Sequence, residues 1–163
     1  MCPGKGSPDE PSLKFPYFRG LRMDFLTKLQ RSERMSRIRS KGTKPEITLA
    51  AAMRSTGHKF DEQATDIEGT PDLVHRRRKI AIFIHGCFWH GHSCRGEKVI
   101  RTNSEYWSTK IATNKRRDNK IVRRLRNVGW KVLIVWECRI RGRSTLSREI
   151  VRISREWRKS RSR

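Results

Sequence analysis

Ile80-Ala81-Ile82-Phe83-Ile84-His85-Gly86-Cys87-Phe88-Trp89-His90-Gly91-His92-Ser93-Cys94 opens on five apolar residues and closes on a loop crowded with imidazoles and thiols. The run 80–85 offers apolar side chains to both faces, as a strand covered on both sides must. Downstream, residues 104–127 read as one long, strongly basic helix, ended by Gly129 after Asn127-Val128. Trp130–Glu137 is then a second apolar strand. With a helix between them, the two strands are expected to be parallel neighbours whose C-terminal ends meet. That brings Cys138 beside Cys87. Upstream, Gly69-Thr70-Pro71-Asp72-Leu73-Val74 is a turn entering a strand, and the basic tetrad 76–79 is its hairpin connection to strand 80–85. Thr43-Lys44-Pro45-Glu46 has capping-box spacing with proline in the first turn, predicting a helix to about Thr56 that stops at Gly57. A short strand near Lys59–Glu62, a basic amphipathic piece around Gln30–Arg39 and an amphipathic helix Ser144–Trp157 complete the pattern. The fold class is α/β, a mixed central sheet flanked by helices.

The chain carries 39 Lys and Arg against 16 Asp and Glu in 163 residues, a formal net charge of +23. That excess on a chain with a core points to a polyanion, nucleic acid first. An apolar content of 34% suits a single domain, taken as residues 23–158, with a basic tail 159–163. Residues 1–22, rich in Gly, Pro, Ser and Lys, read as a disordered or vector-like extension, with Met23 as a possible natural start. No apolar run approaches the roughly 20 residues of a membrane span, and residues 1–22 lack a signal-peptide core. The expected location is the cytoplasm, with the nucleoid. Four cysteines, Cys2, Cys87, Cys94 and Cys138, interleaved with histidines, suit a metal better than a disulfide framework.

Residues 85–94 hold three histidines, two cysteines and two large aromatics in ten positions, a density that marks a site. Cys87, His92, Cys94 and Cys138 offer three sulfurs and one nitrogen, enough to close a structural zinc; the alternative is three buried thiols. His90 could replace His92 as a ligand, but its place beside Trp89 and its spacing from His85 assign it to catalysis. Pro71-Asp72 at a strand start resembles the metal-binding carboxylate of nucleases whose motif runs Pro-Asp, a gap, then Asp/Glu-x-Lys, the PD-(D/E)xK restriction-endonuclease-like fold. Here Phe83-Ile84-His85 stands where the acid-x-lysine would fall. His85 then replaces the lysine, and Mg²⁺ would be held by Asp72, the Ile84 carbonyl, phosphate oxygens and water.

Ile111, Asp118, Val122 and Leu125 fall at 0, 7, 11 and 14 along one helical stripe, so Asp118 faces inward from a helix otherwise coated in cations. Its expected partner is His90 or His85; the alternative is Arg117 or Arg124. Phe88 and Trp89, with Trp107 near the helix start, are suited to wedging between base pairs, or else belong to the core. Trp130 and Trp136 read as sheet core. Glu46 is a capping residue or an outer acid near the metal. Lys115, Arg116 and Lys120 supply nonspecific phosphate contacts.

The stretch Arg31-Ser32-Glu33-Arg34-Met35-Ser36-Arg37-Ile38-Arg39-Ser40-Lys41, then Thr43-Lys44-Pro45-Glu46, Gly69-Thr70-Pro71-Asp72, Phe83-Ile84-His85-Gly86-Cys87-Phe88-Trp89-His90, Tyr106-Trp107, residues 114–118 and Val135-Trp136-Glu137-Cys138 closely resemble the very-short-patch-repair (Vsr) mismatch endonucleases. The resemblance spans roughly residues 24–143, and the block His85–His90 is its most specific part. It implies a monomer that recognises a T:G mismatch, arising from deaminated 5-methylcytosine in duplex DNA, and nicks 5′ to the thymine with Mg²⁺. It implies Asp72 as metal ligand, His85, His90 and Asp118 at the scissile phosphate, Glu46 touching metal-bound water, and Zn²⁺ on Cys87, His92, Cys94 and Cys138. Phe88, Trp89 and Trp107 would enter from the major groove; Met35 and Ile38 would meet the minor groove. Mismatch-repair proteins are further possible partners. The chain departs at Ile84, where some members carry Thr. Two other readings are a nickase or restriction-type endonuclease of the same fold with another target, and a zinc-stabilised DNA-binding module without catalysis.

Overall fold

A computed structural model describes residues 26–37, 41–95 and 103–159. The expectations for residues 1–22, Met23, Ile38 and the last four residues of the tail lie outside that set, as does the side chain of Met35, whose backbone belongs to the first helix.

Four strands form one sheet in the order β1 (Asp61–Glu62), β2 (Leu73–His75), β3 (Ile80–His85), β4 (Lys131–Trp136). β1–β2 and β2–β3 are antiparallel; β3–β4 is parallel, registered from Ile80 opposite Lys131 to His85 opposite Trp136. The expected mixed sheet and the parallel pair are both present. A 3-10 turn at Arg76–Arg78 closes the β2–β3 hairpin, and Lys79 follows it in the left-handed region at φ 48°. The first strand is shorter than expected, because only Asp61 and Glu62 pair with β2.

Along β3 the side chains alternate between two cores. Ile80 and Ile82 join Leu49, Met53, Leu133, Val135, Ile150, Ile153 and Trp157 on one face, while Ala81 and Phe83 join Ile67, Val74, Leu125 and Val132 on the other. Double coverage is why this strand reads as apolar without alternation. The first face is covered by α2 (Lys44–Ser55) and α5 (Arg143–Lys159), the second by α3 (Ser104–Asn127). A short helix α1 (Lys28–Ser36) precedes them, and α4 (Glu137–Ile140) is a single turn that the sequence reading missed. Ile140, 4% exposed, plugs that turn into the first core. On α5, Ile150, Ile153 and Trp157 are buried, each contributing about 1.5–3 kcal/mol of hydrophobic stabilisation. No helix among the described residues is long and apolar enough to cross a membrane.

Candidate active site and metal centre

Asp72 sits at the entry to β2, where its peptide N–H donates to the Ile82 carbonyl at 3.0 Å. Its Oδ2 accepts the Ile84 N–H at 2.6 Å, and its Oδ1 faces the Gln63 amide at 3.4 Å. Ile84 thus fixes one oxygen of the Asp72 carboxylate through its peptide N–H. Burial pushes the Asp72 carboxyl up to about 6, the Ile84 and Gln63 hydrogen bonds oppose the rise, and the charge of Glu46 adds to it. Glu46 is bonded both at the start of α2 and toward Asp72 through Gln63. It accepts from the Gly42 N–H at 2.8 Å and the Thr43 hydroxyl at 2.5 Å, and also from Gln63 Nε2 at 3.0 Å. The cap differs from a reciprocal capping box, since the Thr43 hydroxyl bonds Glu46 instead of a helix N–H.

Asp72, Ile84, His85, His90, Arg117 and Asp118 line one cleft of about 360 Å³. The parallel β3–β4 pair and the α3 crossover bring them together. The Asp118 side chain is 13% exposed and bonds His90 Nδ1, while Arg117 donates to its Oδ1 at 3.2 Å. The helical stripe is thus confirmed, with both a histidine and Arg117 as partners; Arg124 pairs instead with Glu68 at 2.7 Å. His85 is 8% exposed, and its ring lies 3.8 Å from that of His90 at an interplanar angle of 10°. Burial, and then the neighbouring His90, lower the pKa of His85 to about 4. Ligand atoms of His85, His90 and Asp118 lie within 4.8 Å of one another. Stacked rings, however, direct their nitrogen lone pairs in parallel planes, and His90 Nδ1 is already taken by Asp118. The trio suits proton handling and phosphate contact better than holding an ion.

Two residues beyond each strand end, Cys87 and Cys138 meet with His92 and Cys94, all four ligand atoms lying within 4.8 Å of one another. Cys138 Sγ is 3.5 Å from His92 Nδ1. Cys87, 2% exposed, has its thiol pushed up to about 12 by burial, and burial raises Cys138 as well. Converging thiols that cannot ionise alone are what a divalent cation would convert to thiolates. The donor set, three sulfurs and one imidazole, fits a closed tetrahedral zinc site. The Glu137 carboxylate accepts the Cys87 N–H at 3.3 Å and so fastens the loop to the end of β4. Trp136, expected as sheet core, instead stands between the two sites, stacked on His92 at 4.2 Å and edge-on to His85 at 5.4 Å.

Phe88 and Trp89 pack against Trp107 with ring centroids 5.1 and 6.0 Å apart. Trp107 is 6% exposed and forms the floor on which the two half-buried rings rest. Asn114 Nδ2 donates to the Trp89 carbonyl at 2.9 Å, tying the loop to α3. At Gly91 (φ +59°) a Cβ would fall 2.5 Å from Lys115 Cε and 2.7 Å from Ile111 Cγ2, so the close approach needs glycine. Lys115, Arg116 and Lys120 are exposed on the same helix. Gln63, Asn114, Glu137 and Trp136 were not foreseen as site residues. Asn114, Trp136 and Glu137 fall in stretches that carry the family resemblance, whereas Gln63 had no such signal.

The family model of DNA mismatch endonuclease Vsr matches residues 23–96, a span that includes Glu46, Asp72 and the whole His85–Cys94 loop. The chain is 42% identical over 126 residues to DNA mismatch endonuclease Vsr of Escherichia coli strain K12, covering 77% of this chain and 81% of that protein. It is 39% identical over 117 residues to the type II nicking enzyme V.XorIIP of Xanthomonas oryzae pv. oryzae, covering 72% and 86%. To the type II nicking enzyme V.HpaIIP of Haemophilus parainfluenzae it is 41% identical over 116 residues, covering 70% and 82%. Shared sequence of this extent, running through the strand and loop that build the cleft, places the chain in the DNA mismatch endonuclease Vsr family.

Proposed function

We propose that this protein nicks one strand of duplex DNA 5′ to the thymine of a T:G mismatch, using Mg²⁺ at Asp72 and a structural Zn²⁺ on Cys87, His92, Cys94 and Cys138. Family membership makes it a DNA endonuclease, and the relatives named as nicking enzymes favour cleavage of one strand. The carrying observation is that Asp72 and the His90–Asp118 pair line a single cleft. The scaffold reads as a PD-(D/E)xK-like fold in which His85 stands for the lysine, and one domain acts as a monomer in the cytoplasm.

Asp72, supported by the Ile84 N–H, would hold the cation, which when bound supplies charge neutralisation at the phosphate. Asp118 fixes the proton of His90 on Nδ1, leaving Nε2 to take the proton of the attacking water. His85, kept neutral by burial, hydrogen-bonds the phosphate or the water without adding charge. Arg117, largely exposed at the rim, is placed to meet the phosphate backbone. Phe88 and Trp89 unstack the mispaired step, which costs less than unstacking a paired one.

End-labelled duplexes that differ only in a T:G or a C:G pair test this. Expected are a single cut 5′ to the thymine with Mg²⁺, none with EDTA, none at C:G, and none from Asp72→Ala, whose mismatch binding stays near normal. Equal nicking of the fully paired duplex would assign the same chemistry to another target. Cleavage by Asp72→Ala would remove the metal assignment.

A further inference from the structure

Gln63 lies between the carboxylates of Glu46 and Asp72, and its backbone is unusual. Its φ is +52°, a left-handed conformation that costs a residue other than glycine or asparagine on the order of 1 kcal/mol. The strand start pins that conformation. The Gln63 N–H donates to the Asp72 carbonyl at 3.0 Å, and the next N–H, of Ala64, donates to the Pro71 carbonyl at 3.2 Å. From there Nε2 reaches Glu46 Oε2 at 3.0 Å and Asp72 Oδ1 at 3.4 Å.

We propose that Gln63 is a positioning residue for the nicking reaction: its amide ties Glu46 of α2 to Asp72 at the head of β2 and holds the two carboxylates in one frame. The chemistry selects an amide. Two carboxylates close together repel, and a neutral group with two N–H donors can bond both. A lysine at this place would cancel the charge that a cation needs, and a glutamate would add a third repelling acid. The frame spans three elements, since Glu46 is itself fixed to the start of α2 through Gly42 and Thr43, and the other oxygen of Asp72 is fixed to Ile84 of β3. Glu46 is thereby held toward Asp72 through Gln63 instead of swinging toward solvent, and it acts without touching the reacting atoms. The longer bond, to Asp72, leaves Oδ1 available to a cation while limiting the rotation of the carboxylate.

The proposal rests on the reading that Asp72 holds the catalytic divalent cation, and the test separates the two. Full-length protein with its zinc is bound to a T:G duplex already nicked 5′ to the thymine, and Mn²⁺ binding is followed by electron paramagnetic resonance beside nicking of the intact duplex. Gln63→Gly removes the amide and relieves the left-handed backbone. It is expected to weaken Mn²⁺ binding about tenfold and to slow nicking at limiting Mg²⁺ by about 10–100-fold, the usual effect of losing an outer-shell partner. Metal-free affinity for the T:G duplex should stay within about twofold, because no DNA contact is removed. Added to Glu46→Ala, the Gly substitution should cost less than about twofold more, since the two residues act through one bond. Gln63→Asn, which tolerates the same backbone but is one methylene short, should show the same loss and serves if the Gly variant fails to fold. Unchanged Mn²⁺ affinity in a folded Gln63 variant, or multiplying effects of Gln63→Gly and Glu46→Ala, overturns the proposal. If Asp72→Asn loses Mn²⁺ while Gln63→Gly keeps it, the tether alone is wrong; if Asp72→Asn binds Mn²⁺ like wild type, the metal assignment fails and takes the tether with it.

Discussion

Asp72 is held in a state that favours function over stability. Its carboxyl is raised from 3.8 to about 6, mainly by burial, so the folded chain takes up a proton more readily than the unfolded one. For a group raised in this way, the associated stability is fully present below about pH 4 and is lost as pH climbs through 6. At pH 7.5 without divalent cation, ionised Asp72 costs the fold about 3 kcal/mol, roughly two pKa steps of 1.4 kcal/mol each. Asp72→Asn removes that charge, although its amide must rearrange against Gln63, so a gain of about 1–3 kcal/mol is expected, or several degrees in Tm. The gain should shrink as pH is lowered through 6, and Mg²⁺ should stabilise wild type but not the variant. Thermal melts that find Asp72→Asn no more stable than wild type at pH 7.5 would mean that the carboxylate is not strained by its surroundings. Asp118 and Gln63 show how unevenly the sequence announces such residues. Asp118 was legible because helical periodicity fixes which way a side chain faces. Gln63 was not, because its role depends on a left-handed backbone and on two acids, one 17 and one 9 residues away, neither of which leaves a local pattern.

At the scale of elements, the proposed function divides the work of binding between the aromatic loop and the basic face of α3. Phe88 and Trp89 stand half-buried on Trp107, and Asn114 anchors their loop. Phe88→Ala with Trp89→Ala is expected to erode the preference for T:G over C:G by about 2–3 kcal/mol of lost stacking while changing stability less than binding. Trp107→Ala should do both, because emptying a buried indole site costs about 3–5 kcal/mol of folding stability. Band-shift titrations and melts distinguish the two, and an unchanged T:G preference in the double variant would return those rings to a packing role. Lys115, Arg116 and Lys120 act through phosphate alone in this reading. Replacing all three with Ala should flatten the slope of log affinity against log salt by up to about 3, at roughly 0.9 per phosphate contact, and leave the mismatch preference intact. A changed preference would show that one of them reads a base. The strands β3 and β4 were legible because apolar runs flanking a helix leave few topologies open. The turn α4 was not, since four residues are too few to show a period. Trp136 was taken for core because a strand's last residue looks no different whether it faces a core or an imidazole.

Across the whole molecule, the Cys/His cluster joins ends that sequence separates. Cys87, His92 and Cys94 leave the end of β3, while Cys138 follows β4 after the α3 crossover, so a metal there closes a loop of about fifty residues that carries the aromatic rings and Asp118. Closing so long a loop removes more unfolded-state entropy than a local contact does. The same closure would hold His90, two residues before His92, against Asp118 of the crossover helix. The metal is therefore expected to be needed for the fold as well as for the site. Zinc should copurify at one ion per chain, and its removal should lower stability by several kcal/mol or unfold the protein, because the binding energy of such a site is folding energy. Cys138→Ser should lose the metal and, with it, the geometry of β3 and its loop, abolishing mismatch binding along with nicking. Asp72→Ala, by contrast, leaves binding in place. Mg²⁺ withdrawal should stop turnover and leave the melting curve only slightly lowered. Elemental analysis paired with melts decides: active protein free of zinc, or a Cys138→Ser variant that still folds and binds T:G duplex like wild type, would show the thiols to be core residues and leave the loop to be held by Glu137, Asn114 and packing alone.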